Sequence, residues 1–373
     1  IGKINVFMIG IKIRGAGGCK MEDKTEEIVK QYPIHVNGKR RIRGAILFEA
    51  KEGIFTLIHC RESEKKLSFT EQIKMKLEEQ GRKAIDLALK TENGSYTTRD
   101  KQGNVWILKR WFLGRECNLH DNDDVREVVQ NLACLHREFV YPAQDIIKDA
   151  SKILTQEQDQ TKTDCLEDFK KWGCKKEITG TLHRHMREMK RVYNYIRTKK
   201  QKNEMEICIL NLFPLYYEQA GKALEQMDQE SFLYLQQQSV NEGRLYHGSY
   251  NHHNVLFTEH EIAVVNFERA EFGMQIVDLY HFLRKWMEKK GWSVHSGVRM
   301  IEEYQKIRPL SDIEAKMLYL LFLFPEKFWK QIDFYYNGKK SWMSLKNYEK
   351  LRKMEEQEQE RQKFLREIRG LLF

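Results

Sequence analysis

The sequence predicts an α+β protein of two lobes: a small mixed β/α lobe over residues 31–112 and a large, mainly helical lobe over residues 113–373. Three observations predict it. Turn-separated apolar runs suited to strands fill much of the first third, and apolar stripes at helical spacing fill most of the rest. One stretch, residues 246–268, interrupts the helices with two short apolar runs around a polar turn, with a polar group just before each run.

The first residues receive no role in that fold. An apolar run at 4–11 is followed by Lys12, Arg14 and the glycines 15 to 18; it is too short to span a membrane, and the basic residues after it do not form a cleavage site. Residues 1–30 are therefore set apart as an N-terminal extension, with the part ahead of Met21 read as a fragment or upstream segment. In the small lobe, residues 44–50 and 53–60 pair as strands around the turn Lys51-Glu52-Gly53. A helix follows over 64–80, with Phe69, Ile73 and Leu77 on one stripe and Gly81 as its stop. Strands at 97–99 and 104–112 flank the turn 100–103, and residues 110–117 form the hinge.

Beyond the hinge the chain turns helical. Asn122, Asp123 and Asp124 cap a helix whose Val125, Val128, Val129, Leu132 and Leu135 share a stripe. Residues 151–176 read as a loop or solvated helix, and a basic helix carries Leu182, Met186, Met189, Tyr193 and Ile196. Helices over 206–227 and 231–240 lead to the 246–268 stretch, and another over 278–290 turns Leu279, Phe282, Leu283 and Trp286 inward. Ser311 and Glu314 make a capping box, Pro325 suits a first turn, and a charged helix at 346–365 packs through Leu351, Met354 and Phe364. Trp286, Trp329 and Trp342 fit packing rather than a cofactor box.

Composition narrows the function classes. Of 373 residues 41% are hydrophobic and 11% aromatic, which is globular. The 64 Lys and Arg against 54 Asp and Glu give +10, but the signs are interspersed; without a basic block this argues against nucleic acid and leaves an acidic protein surface as a partner. Seven cysteines (Cys19, Cys60, Cys117, Cys134, Cys165, Cys174 and Cys208) never form C-x-x-C and read as thiols in a reducing compartment. His247, His252 and His253 have the spacing H-x4-H-H, which is no recognised zinc arrangement, so metal hydrolysis is set aside.

The chemistry-bearing residues gather in Y-H-G-S-Y-N-H-H-N-V-L-F (246–257), I-A-V-V-N-F-E (262–268) and V-D-L-Y-H-F-L-R-K-W-M-E-K (277–289). With I-L-K-R-W-F (107–112), G-R-E-C (114–117), N-L-A-C-L-H (131–136), residues 191–201 and P-E-K-F-W-K (325–330), this ordered set resembles the spore coat CotS family over about residues 30 to 365. That family is similar in fold to aminoglycoside and choline phosphotransferases, so the resemblance implies a protein-kinase-like two-lobe fold, with ATP and Mg²⁺ as the cofactors a working member would use.

Carried over position by position, the resemblance implies that Ser249 stands where a catalytic Asp would position the substrate hydroxyl. Asn254 matches a metal-binding Asn, Asn266 stands where an Asp would chelate the phosphate-bridging metal, and Asp278 matches a buried Asp that supports the loop. His247 is expected to pack and hydrogen-bond inside the loop. A phosphate-anchoring Lys is expected on the second hairpin strand, where Ile58 or His59 stands instead; Lys109 and Trp111 are the other candidates on the cofactor side.

Three departures weigh against phosphoryl transfer. The transition state needs charge neutralisation and positioning. Ser249 removes a proton acceptor whose contribution is ~10² to 10⁴ in rate, Asn266 removes a metal carboxylate, and the strand Lys is missing. Two substitutes are open to test: Glu268, on Asn266's side if 266–268 is extended, and His59 as a phosphate donor. The sequence therefore predicts an impaired, kinase-like structural protein with other spore coat proteins as partners, made in the mother-cell cytoplasm and assembled into the coat, with no membrane partner. The alternative is an active kinase acting on a small-molecule hydroxyl or a coat protein, with Glu268 and Asn254 holding its metal.

Overall fold

Lys51 and Glu52 form a tight turn, and Gly53 after them takes φ +140°, a conformation that side chains resist. The chain therefore folds back as an antiparallel hairpin with Ala50 opposite Gly53. This hairpin belongs to the smaller of two units in a computed structural model of the chain, which describes residues 25–42, 44–142, 145, 178–228, 230–336 and 345–372. Segments 1–20 and 151–176 and Trp342 lie outside the described residues.

The first unit runs to Ser68 and resumes over Leu87–Trp111. Its five-stranded antiparallel sheet has the order β1-β2-β3-β5-β4, with β1 Val36–Ile42, β2 Ala45–Ala50, β3 Gly53–His59, β4 Thr97–Arg99 and β5 Val105–Arg110. Phe48, Phe55, Leu57 and Leu108 pack with Ile28, Val29 and Tyr32, which lie in and after a short helix α1 (25–29). Thr56 and Lys109 are directly paired, so both side chains share a face of the sheet, and both are buried. The β4–β5 turn closes on Asp100, whose carboxylate accepts from the Gln102 and Asn104 amides, both at 2.9 Å.

The second unit comprises Phe69–Asp86 and everything from Phe112. Helix α2 (Glu64–Glu79) enters it at Phe69; Phe69, Ile73 and Leu77 join its large apolar core. Its helices among the described residues include α3 (Asn122–Glu138), α4 (Ile178–Thr198), α5 (Glu204–Met227), α6 (Glu230–Asn241), α7 (Ile276–Lys290), α8 (Val294–Ile307), α9 (Asp312–Leu323), α10 (Glu326–Tyr336) and α11 (Leu345–Leu372). Two start on complete capping boxes, Asn203 with Glu206 and Ser311 with Glu314, so their first amides are satisfied before any packing. Arg361 on α11 is buried and donates to the Phe322 and Leu323 carbonyls at 2.7 and 2.9 Å, closing the end of α9.

Two small ladders interrupt these helices. Strands β6 (Arg115–Glu116), β8 (Val255–Phe257) and β9 (Ile262–Val264) form one; β7 (Leu245–Tyr246) and β10 (Glu271–Phe272) form the other. Residues 84–86 extend the first, with the Val264 amide donating to the Ala84 carbonyl at 3.0 Å and Ile85 bridging to Val264 in parallel. None of the described helices is long and apolar enough to cross a membrane.

Candidate functional site

The loop from β7 to β8 hangs on Asp278 in the first turn of α7. Its Oδ2 accepts from the His247 amide at 2.5 Å and its Oδ1 from the Gly248 amide at 2.9 Å, while His136 Nε2 lies 3.4 Å from Oδ2. His136 Nδ1 in turn lies 2.7 Å from the Tyr304 hydroxyl. Burial alone would raise the Asp278 carboxyl; the hydrogen bonds from His136 and from the His247 backbone outweigh it and hold the carboxyl below its ordinary range. For His136 burial wins over the pull of Asp278 and pushes the imidazole down. A neutral His136 fits both contacts, donating from Nε2 and accepting from Tyr304 at Nδ1.

Inside the loop, His247 is fully buried. Its Nε2 donates to the Val265 carbonyl at 3.1 Å and its Nδ1 accepts from the Ser249 amide at 3.1 Å, which fixes one neutral tautomer; burial pushes its pKa down accordingly. His247 is thus packed and hydrogen-bonded inside the loop. Gly248 takes φ +70°, and a Cβ there would lie 2.2 Å from the Arg269 carbonyl oxygen, so only glycine fits. Tyr250, buried, ties the loop to α3 by donating to the Val128 carbonyl at 2.8 Å.

Ser249, Asn254 and Asn266 come together at the tip of this frame. The Asn254 amide group donates to the Ser249 carbonyl at 2.9 Å and lies 3.2 Å from Ser249 Oγ. Its NH₂ thus faces Ser249, and its Oδ1 accepts from Asn266 Nδ2 at 2.8 Å. Asn266 sits in the left-handed region, φ +68° and ψ +60°, which Asn tolerates better than most residues. Its backbone N–H donates to Asp86 Oδ2 at 2.8 Å.

Asp86 escaped the sequence reading, because a lone Asp in the apolar run A-I-D-L-A-L carries no motif. It is fully buried beside Lys74 and Glu71 of α2. Lys74 Nζ bonds Glu71 at 2.6 Å, donates to the Asp86 carbonyl at 2.7 Å, and lies 3.6 Å from Asp86 Oδ1.

The condition attached to Glu268, an extended 266–268 segment, is not met. Phe267–Arg269 is a 3₁₀ turn entered from the left-handed Asn266, so the alternation that would set Glu268 beside Asn266's side chain does not apply. On the cofactor side the candidates stay within the first unit. Ile58 pairs with Ile107, His59 stacks on Trp106 with ring centroids 3.6 Å apart, Lys109 is buried on β5, and the Trp111 amide donates to the Ile54 carbonyl at 2.8 Å. His59 is thus engaged with a neighbouring ring.

The donor set at the tip does not fit Mg²⁺ as it stands. The ion takes hard oxygens with one or two carboxylates, whereas Asn254 offers an oxygen already bonded to an NH₂ and Asn266 presents that NH₂. Beside Gly248 a cavity of about 510 Å³ is lined by Tyr246, Arg269, Glu271 and His281 together with apolar side chains, so both charge signs face it.

Residues 25–368 match the model of the family described as "Spore coat putative kinase YutH". The chain belongs to that family. YutH is CotS-like, the relationship the ordered motifs pointed to. No curated protein matches the chain. Among solved structures, an aminoglycoside phosphotransferase from Alicyclobacillus acidocaldarius is similar at 15% identity with a TM-score of 0.76, over 93% of this chain and 96% of that one. Spectinomycin phosphotransferase in complex with ADP and spectinomycin is similar at 13% identity and TM-score 0.58, over 91% and 95%. An amicoumacin kinase in complex with AMP-PNP, Ca²⁺ and its ligand aligns at 13% identity and TM-score 0.53, over 92% and 94%. At these identities the likeness establishes the kinase-like phosphotransferase fold of this YutH-family chain.

Proposed function

We propose that this YutH-family protein is a structural and assembly component of the spore coat, built on a phosphotransferase frame that has lost phosphoryl transfer. The observation that carries the reading is the hydrogen bond from Asn266 to Asn254. It closes, with neutral groups, the space where a kinase gathers carboxylate and amide oxygens around its metal. Ser249 cannot take up a substrate proton as a carboxylate would, and its Oγ is turned toward Asn254. Its partners are then other coat proteins, and it is made in the mother-cell cytoplasm before joining the coat.

A thermal shift experiment with ATP, run with and without Mg²⁺, tests the reading on the unmodified protein and on the Ser249→Asp, Asn266→Asp double variant. The unmodified protein is expected to show no Mg²⁺-dependent shift. The double variant keeps a residue tolerant of the left-handed conformation at 266 and gains two carboxylates, so it is expected to gain a Mg²⁺-dependent shift of a few degrees. Micromolar Mg²⁺-dependent nucleotide binding by the unmodified protein, with turnover on a coat protein, would overturn the proposal.

A further inference from the structure

The spacing H-x4-H-H leaves two adjacent histidines without a third ligand in the sequence. The fold supplies one. Glu116 on β6 reaches the turn that carries His252 and His253, and donor atoms of the three residues all lie within 4.8 Å of one another. Among the described residues this is the one group of His, Cys, Asp and Glu side chains arranged so. His253 Nδ1 lies 2.7 Å from Glu116 Oε2, and the two imidazole rings lie with centroids 3.8 Å apart and planes tilted by 36°.

The backbone that presents these groups is fixed from both sides. Asn251 Oδ1 accepts from the His253 amide at 3.0 Å, its Nδ2 donates to the Ser249 carbonyl at 2.7 Å, and the Asn254 amide donates to the Asn251 carbonyl at 2.9 Å. Glu116 is registered opposite Leu256, only three residues past His253. Carboxylate and imidazoles therefore hang from one ladder, with little chain between them to be ordered on binding.

We propose that Glu116, His252 and His253 bind a first-row divalent cation of the Zn²⁺, Co²⁺ or Ni²⁺ type and so tie the β7–β8 loop to β6. Two imidazole nitrogens and a carboxylate oxygen suit these borderline ions, whereas Mg²⁺ and Ca²⁺ prefer all-oxygen sets. A tetrahedral ion with bonds of about 2.0–2.2 Å needs donors roughly 3.4 Å apart. The side chains of His253 and Glu116 are 42% and 51% exposed, so small rotations of partly solvated groups close the remaining gap. Three protein ligands leave at least one position to water, so the site is open. The assignment does not involve the Asn254–Asn266 pair and stands or falls apart from nucleotide binding.

Co²⁺ titration of the full chain, followed by visible absorption and calorimetry, tests it. One Co²⁺ per chain is expected at micromolar affinity, with nitrogen and oxygen ligand-field bands that Zn²⁺ displaces and millimolar Mg²⁺ does not. His252→Ala, His253→Ala and Glu116→Gln are each expected to weaken binding by at least about tenfold. Their unchanged melting without metal will show that the loss is not unfolding, and Zn²⁺ is expected to raise the melting temperature of the parent alone. The proposal is overturned if binding is absent at these concentrations, if the variants bind like the parent, or if thiolate charge-transfer bands show a cysteine holding the ion.

Discussion

The root of the loop and its tip follow opposite rules. At the root, Asp278 keeps a buried carboxylate supplied with two backbone donors and an imidazole. At the tip, Ser249, Asn254 and Asn266 are neutral and bond one another. Buried charge at the root is satisfied by fixed partners and stabilises a shape, whereas charge at a metal site is satisfied only when the ion arrives. A chain that uses the frame without the ion can exchange the second kind of carboxylate for amides and keep the first. The root thus carries a buried charge with fixed partners, and Ser249, Asn254 and Asn266 at the tip carry none.

Breaking the root should cost most. Asp278→Ala strands two backbone N–H groups and the His136 ring, and is expected to lower unfolding stability by about 3–5 kcal/mol, read by chemical denaturation. A loss under about 1 kcal/mol would erase the distinction, since the root would then matter no more than the tip.

Acid should act on the root next. His136 and His247 are buried with lowered pKa values. The unfolded chain therefore binds protons below about pH 6.5 that the native state refuses, so stability is complete above that pH and falls as the pH drops. Stability is expected to fall steadily as the pH drops through this range, and His136→Asn should flatten part of the profile. Asp278, held low, adds to the fall only in stronger acid. A melting temperature that climbs on acidification would show these rings charged in the native state.

The tip should be nearly indifferent. In Ser249→Ala, Asn254 keeps its 2.9 Å bond to the Ser249 carbonyl and loses only the 3.2 Å contact to Oγ. The expected change is under about 0.5–1 kcal/mol by denaturation. A loss as large as that of Asp278→Ala would mean the hydroxyl is structural, and the two regions would no longer differ.

Much of the frame was legible because local chemistry marks it. The turn at Lys51-Glu52-Gly53, the Ser311–Glu314 capping box and the inward faces of α3 and α7 follow from residue type and period. The terminal helix buries Leu351, Met354 and Phe364 as its sparse apolar positions suggest. Periodicity, however, states which residues turn inward and not what they meet: Phe69, Ile73 and Leu77 are evidently a stripe, but their core is the helical one. At the site, the loop motif located Ser249, Asn254 and Asn266, while Asp86 and Glu116 were invisible because their partners lie 180 and 137 positions away. Whether 266–268 is extended, the condition for Glu268 to join the site, was not legible, because Asn266 takes a left-handed turn that no neighbouring residue announces.

The contribution of residues 69–86 to the second unit also bears on how the molecule is made. Synthesis delivers α2, Ile85 and Asp86 long before β9 and Asn266, the groups they will bridge and bond. These early residues must wait through the growth of 180 positions, so the helical unit cannot complete itself until β9 and Asn266 have emerged. A fragment beginning at Phe112 would lack Ala84, Ile85 and Asp86 along the β9 edge, however intact its own helices. The place where the chain passes from one unit to the next is therefore not a place where it can be divided.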